Sequence, residues 1–444
     1  MKTKATFTIK GLAPLLLALF FSLWLTGCSE DFPALDMQDE ITQNTHPTLK
    51  NSAEPLTYIT GDHKDGGIWE ISLPDNWNEL ETKNVMLFAH GYVVPTDPLE
   101  LVDNEIDGMP IKQIFNEMGW AYAATSYRSN GLVVKDAILD LKDLRLIVDT
   151  VLTESHGVYP PDFVFLAGVS EGGLIGTLTL EQYPDLFDAA IITCCPIGDF
   201  YKHLQYIGDF HVLFNYFFKA DLLALGIDMG DPSAVPQETL ALWIDGSLQE
   251  VIIGILMQNP EKVAQLIKIA KVPVDLNDEL SVGMAILDLL KFNVMATNDA
   301  IVRLGGSPYN NMSPKKWYWG SANDIRLNRK VERIKTENWD IARTEVENFY
   351  ETSGILSIPL ISMHTSSDHI APFWHQLLYR RKVFQNRDIQ FHGIIPVKRY
   401  GHCTFTLQEV EMAIQLMQIK LLQLNRSNPL YQLEANNKRV NVQN

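Results

Sequence analysis

Residues 163–178 read "FVFLAGVSEGGLIGTL", a run of β-forming residues that gives way at Ser170 to a run of helix formers. Gly168-Val169-Ser170-Glu171-Gly172 fits G-x-S-x-G. In that pattern a sharp strand-to-helix turn holds the serine in a strained backbone conformation and presents its Oγ above the sheet. The flanking positions must be small, because a side chain there would collide across the turn. Five letters alone are weak evidence, but the strand-like run before them and "GGLIGTLTLEQY" after them supply the context the turn requires.

Serine at its free pKa is a poor nucleophile and needs a base within hydrogen-bond reach, itself fixed by a third group. The order expected downstream is acid, then histidine, each at the end of a later strand. "PLISMHTSSDHIAP" offers Asp368 and "VKRYGHCTF" offers His402, each just after an apolar run. Competing readings are a turn-forming aspartate for Asp368 and a structural imidazole for His402. Asp199 is the rival acid, one strand earlier. His364 falls inside a strand pattern, His369 adjoins the acid and His375 sits in the following helix, so none is preferred as base. A tetrahedral intermediate also needs donors. The glycine turn of "FAHGYVVP" can aim the backbone N–H of Tyr92 into the site, with a turn of no catalytic duty as the competing reading, and the N–H of Glu171 is the second candidate. Tyr127 and Arg128 in "SYRSNG" stand open between lining the pocket and packing. No HExxH or paired CxxC points to a metal, and no cofactor is expected.

The elements that must carry these residues are apolar runs at 85–90, 120–128, 163–170, 189–196, 359–368 and 392–402, most of them separated by helical patterns. Near-continuous apolar strands alternating with helices predict an α/β protein, with a mostly parallel sheet and helices on both faces. Reactive groups then collect at the carboxyl ends of the strands. The interval from 200 to 354 breaks the alternation with helical spacing throughout, as in "ETLALWIDGSLQEVIIGILMQ" and "DELSVGMAILDLLKF". It is too long for a loop and predicts a helical cap, inserted after the strand that follows the nucleophile helix. Its aromatic run "KKWYWG" makes Trp317 and Trp319, with Tyr127, the candidate substrate-binding residues, although ordinary packing explains such a run too.

"HGY", "GVSEGG", "HTSSD" and "RYGHCTF", in this order, resemble the α/β-hydrolase superfamily. The likeness is to secreted bacterial serine esterases and to the hydrolase domain of prolyl-oligopeptidase-like peptidases, over residues 84–200 and 355–425. It implies the α/β-hydrolase fold, a Ser170 nucleophile, a His402 base and an Asp368 acid, with donors at Tyr92 and Glu171. "HC" at 402 and 403 also resembles tannase and feruloyl-esterase relatives, in which a cysteine after the histidine is bridged to one just before the serine. Val169 holds that place here, so Cys194 or Cys195 would substitute as the partner of Cys403. Adjacent cysteines bridge each other poorly, which also favours a bond to Cys403; Cys195–Cys403 is the pairing carried forward, with three buried thiols as the alternative.

The composition fits these roles. The chain has 444 residues, 46 % hydrophobic and 20 % charged, the balance of a globular protein. With 54 Asp and Glu against 36 Lys and Arg the net charge is −18, which argues against nucleic acid as a partner. Lys2, Lys4 and Lys10 precede an apolar stretch that ends in "LTGC", the order of an export signal. Leu25-Thr26-Gly27-Cys28 resembles the lipobox of bacterial lipoproteins, which implies cleavage before Cys28 and its acylation; an ordinary signal peptide is the alternative. Ser29 is compatible, by resemblance, with sorting to a Gram-negative outer membrane or its periplasmic face. The expected organisation is a signal at 1–27, a tether at 28–52, a hydrolase core at 53–199 and 355–425, a cap at 200–354 and a loose tail at 426–444. The function expected is hydrolysis of a small-molecule ester by a lipid-anchored enzyme. A prolyl-oligopeptidase-like serine peptidase and a non-catalytic surface binding lipoprotein are the alternatives.

Overall fold

A computed structural model describes residues 57–156 and 161–427. The expected signal at 1–27, Cys28, the expected tether and the tail beyond 427 lie outside the described residues. Eight strands form one sheet: β1 (Thr57–Asp62), β2 (Ile68–Leu73), β3 (Asn84–Ala89), β4 (Ala121–Thr125), β5 (Phe163–Val169), β6 (Ala189–Thr193), β7 (Leu360–Ser367) and β8 (His392–Tyr400). Their spatial order is β1-β2-β4-β3-β5-β6-β7-β8. β1, β2 and β4 pair antiparallel, and every pair from β4 through β8 is parallel. This is the α/β-hydrolase fold, with the parallel part bearing the site.

The sheet alternates strictly. Along β3, Val85, Leu87 and Ala89 point to one face, while Met86 and Phe88 point to the other. The first face is covered by α2 (Val134–His156) and α3 (Glu171–Gln182), which follow α1 (Ile111–Glu117) in the chain. On the opposite face Met86, Phe165 and Met363 pack against Ile414 and Met417 of the C-terminal helix Leu407–Ser427. Each such side chain, once fully buried, contributes about 1.5–3 kcal/mol through area removed from water. Parallel strands covered on both faces need apolar residues at every position, so β3 to β6 read as unbroken apolar runs in the sequence.

Between β6 and β7 the chain forms eight helices: α4 (Phe200–Leu223), α5 (Gln237–Ile244), α6 (Ser247–Gln258), α7 (Pro260–Ala270), α8 (Glu279–Lys291), α9 (Thr297–Leu304), α10 (Asp324–Lys330) and α11 (Trp339–Phe349). Local chemistry starts several of them: Asp199, Asp278 and Asn323 accept the backbone N–H three residues on and so cap α4, α8 and α10. Much of this segment closes around its own apolar core, with Phe210, Phe214 and Phe218 of α4 against Leu266 and Ile267 of α7 and Ile286 and Leu289 of α8. Residues 279–304 are long and apolar enough to span a bilayer by length and composition; here Val282, Ile286, Leu289 and Leu290 spend that apolarity on the cap interior.

Candidate active site

β5 is buried from Val164 to Gly168, and after Val169 the chain turns sharply into α3. Ser170 takes φ 54° and ψ −121°, a region that L-residues avoid unless the surroundings hold them there. The hold is visible: Ser170 N–H donates to Thr193 O of β6 at 3.0 Å, and Ser170 O accepts from Gly173 N–H at 3.0 Å. A Cβ on Gly172 would overlap the carbonyl oxygens of Ala89 and His90, and one on Gly168 would overlap Gly172 O. Both glycines are therefore conditions of the turn.

Parallel strands bring the remaining groups to the same end. Asp368 follows β7 and is fully buried. Its Oδ1 accepts from the N–H groups of Ile370 and Ala371, each at 2.9 Å, which fixes the carboxylate plane. Its Oδ2 stands 2.7 Å from His402 Nδ1. His402 follows β8 on a turn at Gly401, whose O accepts from Thr365 Oγ1 at 2.7 Å. His402 Nε2 lies 2.9 Å from Ser170 Oγ. With its proton on Nδ1 facing the carboxylate, the imidazole offers Nε2 as an acceptor for the serine hydroxyl. The structure thus brings together Ser170, Asp368 and His402, drawn from three separate strands.

The turn after β3 lies against this line of bonds. Gly91 sits where an added Cβ would be 3.2 Å from Ser170 Cβ. Tyr92 and Glu171 both line the cavity that opens at Ser170. Glu171 is the first residue of α3, so its N–H has no intrahelical acceptor. Tyr127 does not line that cavity. It is fully buried, stacks on His90 with ring centroids 4.1 Å apart, and donates from its hydroxyl to His90 O at 3.1 Å. The substrate-binding expectation for Tyr127 is corrected: it braces the His90–Gly91–Tyr92 turn from below. Arg128 packs as well, its guanidinium and backbone N–H both held by the buried Asp140.

The cavity, about 120 Å3, is walled by the core loops and by the cap. Leu132 and Ile370 come from the core, Phe200, Leu204 and Ile207 from α4, and Ile301 from α9. No lysine or arginine lines it. His203, which does, is pushed down to about 4 by burial and is neutral. Burial likewise pushes the Glu171 carboxyl up to about 8, so that at neutral pH it carries a proton.

Other expectations meet different outcomes. Trp317 and Trp319, expected to bind substrate, are 42 % and 68 % exposed, lie outside the wall of this cavity and meet each other in a tilted contact with ring centroids 5.7 Å apart. The disulfide joins Cys194 to Cys403, with Cα atoms 5.4 Å apart. Cys195 is not the partner. At the end of β6 the chain turns at Cys194, which has φ 45°, and sends the neighbouring Cys195 side chain into the core against Gly173, where it stays a buried thiol. Asp199 caps α4 through Lys202 N–H at 2.7 Å. His369 pairs with Asp288 at 2.8 Å, and His375 Nδ1 accepts from Gly198 N–H at 3.1 Å. Among the described residues the group with metal-ligand spacing is Cys194, His402 and Cys403, and both of its sulfurs are spent in the disulfide. Sequence reasoning missed Asn293 and Phe200 in the cavity wall, since cap residues at helical spacing carry no local mark of what they face.

No protein-family model matches this sequence, and no curated protein matches it either. Solved structures do resemble it. An acylaminoacyl peptidase from Pyrococcus horikoshii is 13 % identical, with a TM-score of 0.38 over 83 % of this chain and 41 % of that one. Est1E from Butyrivibrio proteoclasticus is 13 % identical, with a TM-score of 0.36 over 83 % of this chain and 100 % of that one. Brefeldin A esterase, a bacterial homologue of human hormone sensitive lipase, is 12 % identical, with a TM-score of 0.40 over 85 % of this chain and 79 % of that one. This chain spans about two fifths of the acylaminoacyl peptidase.

Proposed function

We propose that this protein is a serine hydrolase that cleaves carboxylic esters through an acyl-enzyme. The observation that carries the reading is the unbroken line Asp368 Oδ2, His402 Nδ1, His402 Nε2, Ser170 Oγ, at 2.7 Å and 2.9 Å. Ser170 Oγ attacks the ester carbonyl carbon and its proton passes to His402 Nε2. The oxyanion takes the N–H groups of Tyr92 and Glu171, and collapse expels the alcohol with the proton from His402. Water, deprotonated by His402, then releases the acid and frees Ser170. An apolar cavity at the serine supports an acyl ester over an extended peptide, since a peptide backbone would need polar partners along its length.

In the same reading the chain is held to a membrane by lipid on Cys28, in the envelope of a Gram-negative bacterium; metabolic labelling with a palmitate analogue, lost in Cys28→Ala, tests that part. The activity is tested with a fluorophosphonate probe and a substrate panel. Ser170 is expected to take the label, and p-nitrophenyl butyrate to be hydrolysed faster than aminoacyl p-nitroanilides. Activity confined to the anilides would favour the peptidase alternative, and a wild type that takes no label would favour a binding lipoprotein.

A further inference from the structure

The cap wall over Ser170 contains an irregularity that the acyl-enzyme chemistry does not need. After α8 the backbone passes through a single π turn, Phe292–Ala296, before resuming as α9. Such turns are rare, cost regular helical hydrogen bonding and concentrate at functional sites. Phe292, Asn293 and Ala296 of this turn all line the cavity at Ser170.

Asn293 is 1 % exposed. Its Nδ2 donates to Ile207 O of α4 at 2.9 Å, and this bond fixes which way the amide faces, because a flipped amide would set two carbonyl oxygens against each other. Its Oδ1 is buried and has no partner among the described residues. The hydroxyl of Tyr92 in the same wall is also buried without one, and the Tyr92 ring lies 5.5 Å from Phe292 of the π turn. Ser170, Glu171, His203, Thr297 and Ser307 also line this largely apolar wall; two buried polar groups left without partners in it are costly to keep unless a ligand completes them.

We propose that the cavity is built for an acyl group bearing an uncharged hydrogen-bond donor, a hydroxyl or an amide N–H, and that Asn293 Oδ1 is the acceptor that reads it. The proposal deepens the ester-hydrolase reading and rests on it. An ammonium group fits less well, because the apolar wall would strip its hydration and offers no ionised carboxylate at neutral pH. The volume suits a short acyl body: an enclosed apolar cavity of about 150 Å3 holds benzene, and the roughly 120 Å3 here accommodates about six heavy atoms at the serine. A site with an unanswered acceptor discriminates against the methylene isostere more strongly than an apolar pocket discriminates by size.

The test uses methyl esters in matched pairs, followed by acid release: 5-hydroxypentanoate against hexanoate for the hydroxyl, and N-acetylglycine against levulinate for the amide N–H. At least one donor ester should exceed its isostere by about tenfold or more in kcat/KM, and Asn293→Leu should bring that ratio to within about threefold of one. Ile301→Leu, in the same wall, should leave the ratio in place. If Asn293→Leu does not fold, calorimetry of wild type with the four product acids gives the same comparison without a variant. Fluorophosphonate labelling of Ser170 together with equal or better use of both isosteres overturns this proposal alone. Absence of labelling and of acid release from every ester overturns the hydrolase reading, and this proposal with it.

Discussion

Asp368 Oδ2 stands 2.7 Å from His402 Nδ1 across 34 residues of sequence, while the other oxygen of the same carboxylate is occupied by two backbone N–H groups. The acid therefore has one orientation, and it determines the histidine tautomer. Asp368→Asn would present an amide to Nδ1, favour the opposite tautomer and leave Nε2 protonated toward Ser170. The expected result is a fall in kcat of about 10⁴ with a smaller change in KM. Ser170→Ala and His402→Ala should each cost about 10⁶, and the double variant little more than either, because the residues act as one unit. Additive losses in steady-state kinetics would show that the three do not work together.

The Cys194–Cys403 bond ties the residue after the base to the strand beside the nucleophile. Cys194 N–H donates to Met363 O, and both cysteines have positive φ, at 45° and 55°. Cys403→Ser should thus lower kcat by about tenfold or more with KM less affected, since a looser His402 loop samples the productive geometry less often. Closing a loop with a separation of 209 residues also constrains the unfolded chain, with a chain-entropy upper estimate of about 5 kcal/mol. The melting temperature should fall accordingly. Thiol titration of the denatured, unreduced wild type should find one reactive group among Cys194, Cys195 and Cys403, and mapping should place it on Cys195.

What could be read in advance followed from local rules. The runs at 85–90, 163–170 and 189–196 announced buried parallel strands because strands covered on both faces tolerate nothing else. Gly168 and Gly172 marked the turn because no other residue fits against Gly172 O and Ala89 O. β1 and β2 were missed: β1 is an exposed edge strand, and β2 behind it buries the polar Glu70 and Ser72 beside Ile71 and Leu73, so neither shows a continuous apolar run. Trp317 and Trp319 misled because an aromatic run looks the same whether the cap turns it inward or outward. The disulfide partner depended on φ at Cys194, a property of the turn that adjacent identical residues cannot reveal.

Tyr127 bears on the oxyanion turn without touching the cavity. Its hydroxyl donates to His90 O, and its ring supports the His90 imidazole. Tyr127→Phe keeps the stack and removes the bond, leaving His90 O without that donor. The turn carrying the Tyr92 N–H should loosen, lowering kcat by about 3- to 10-fold, well short of the 10²–10³ lost when an oxyanion donor itself is removed. KM should change less than kcat. A proportional rise in KM with kcat unchanged would show instead that the turn serves ground-state binding.

Glu171 gives the fold a pH dependence whose sign follows from its burial. Its carboxyl, held mainly by desolvation at about 8 against an ordinary 4.5, stays protonated in the folded state while the unfolded chain ionises. Between about pH 4.5 and 8 the folded state therefore binds more protons than the unfolded one, so stability falls as pH rises through this window and levels off above it. Glu171→Gln keeps an oxygen for Val133 N–H, which now donates to Oε1 at 3.2 Å, and removes the titration. Melting curves of wild type and variant should lie close together at pH 5 and separate by pH 9, with the variant more stable by an amount on the order of a few kcal/mol. Curves that superimpose across the whole range would mean that the Glu171 side chain reaches water in the folded protein and that its carboxyl ionises freely beside Ser170.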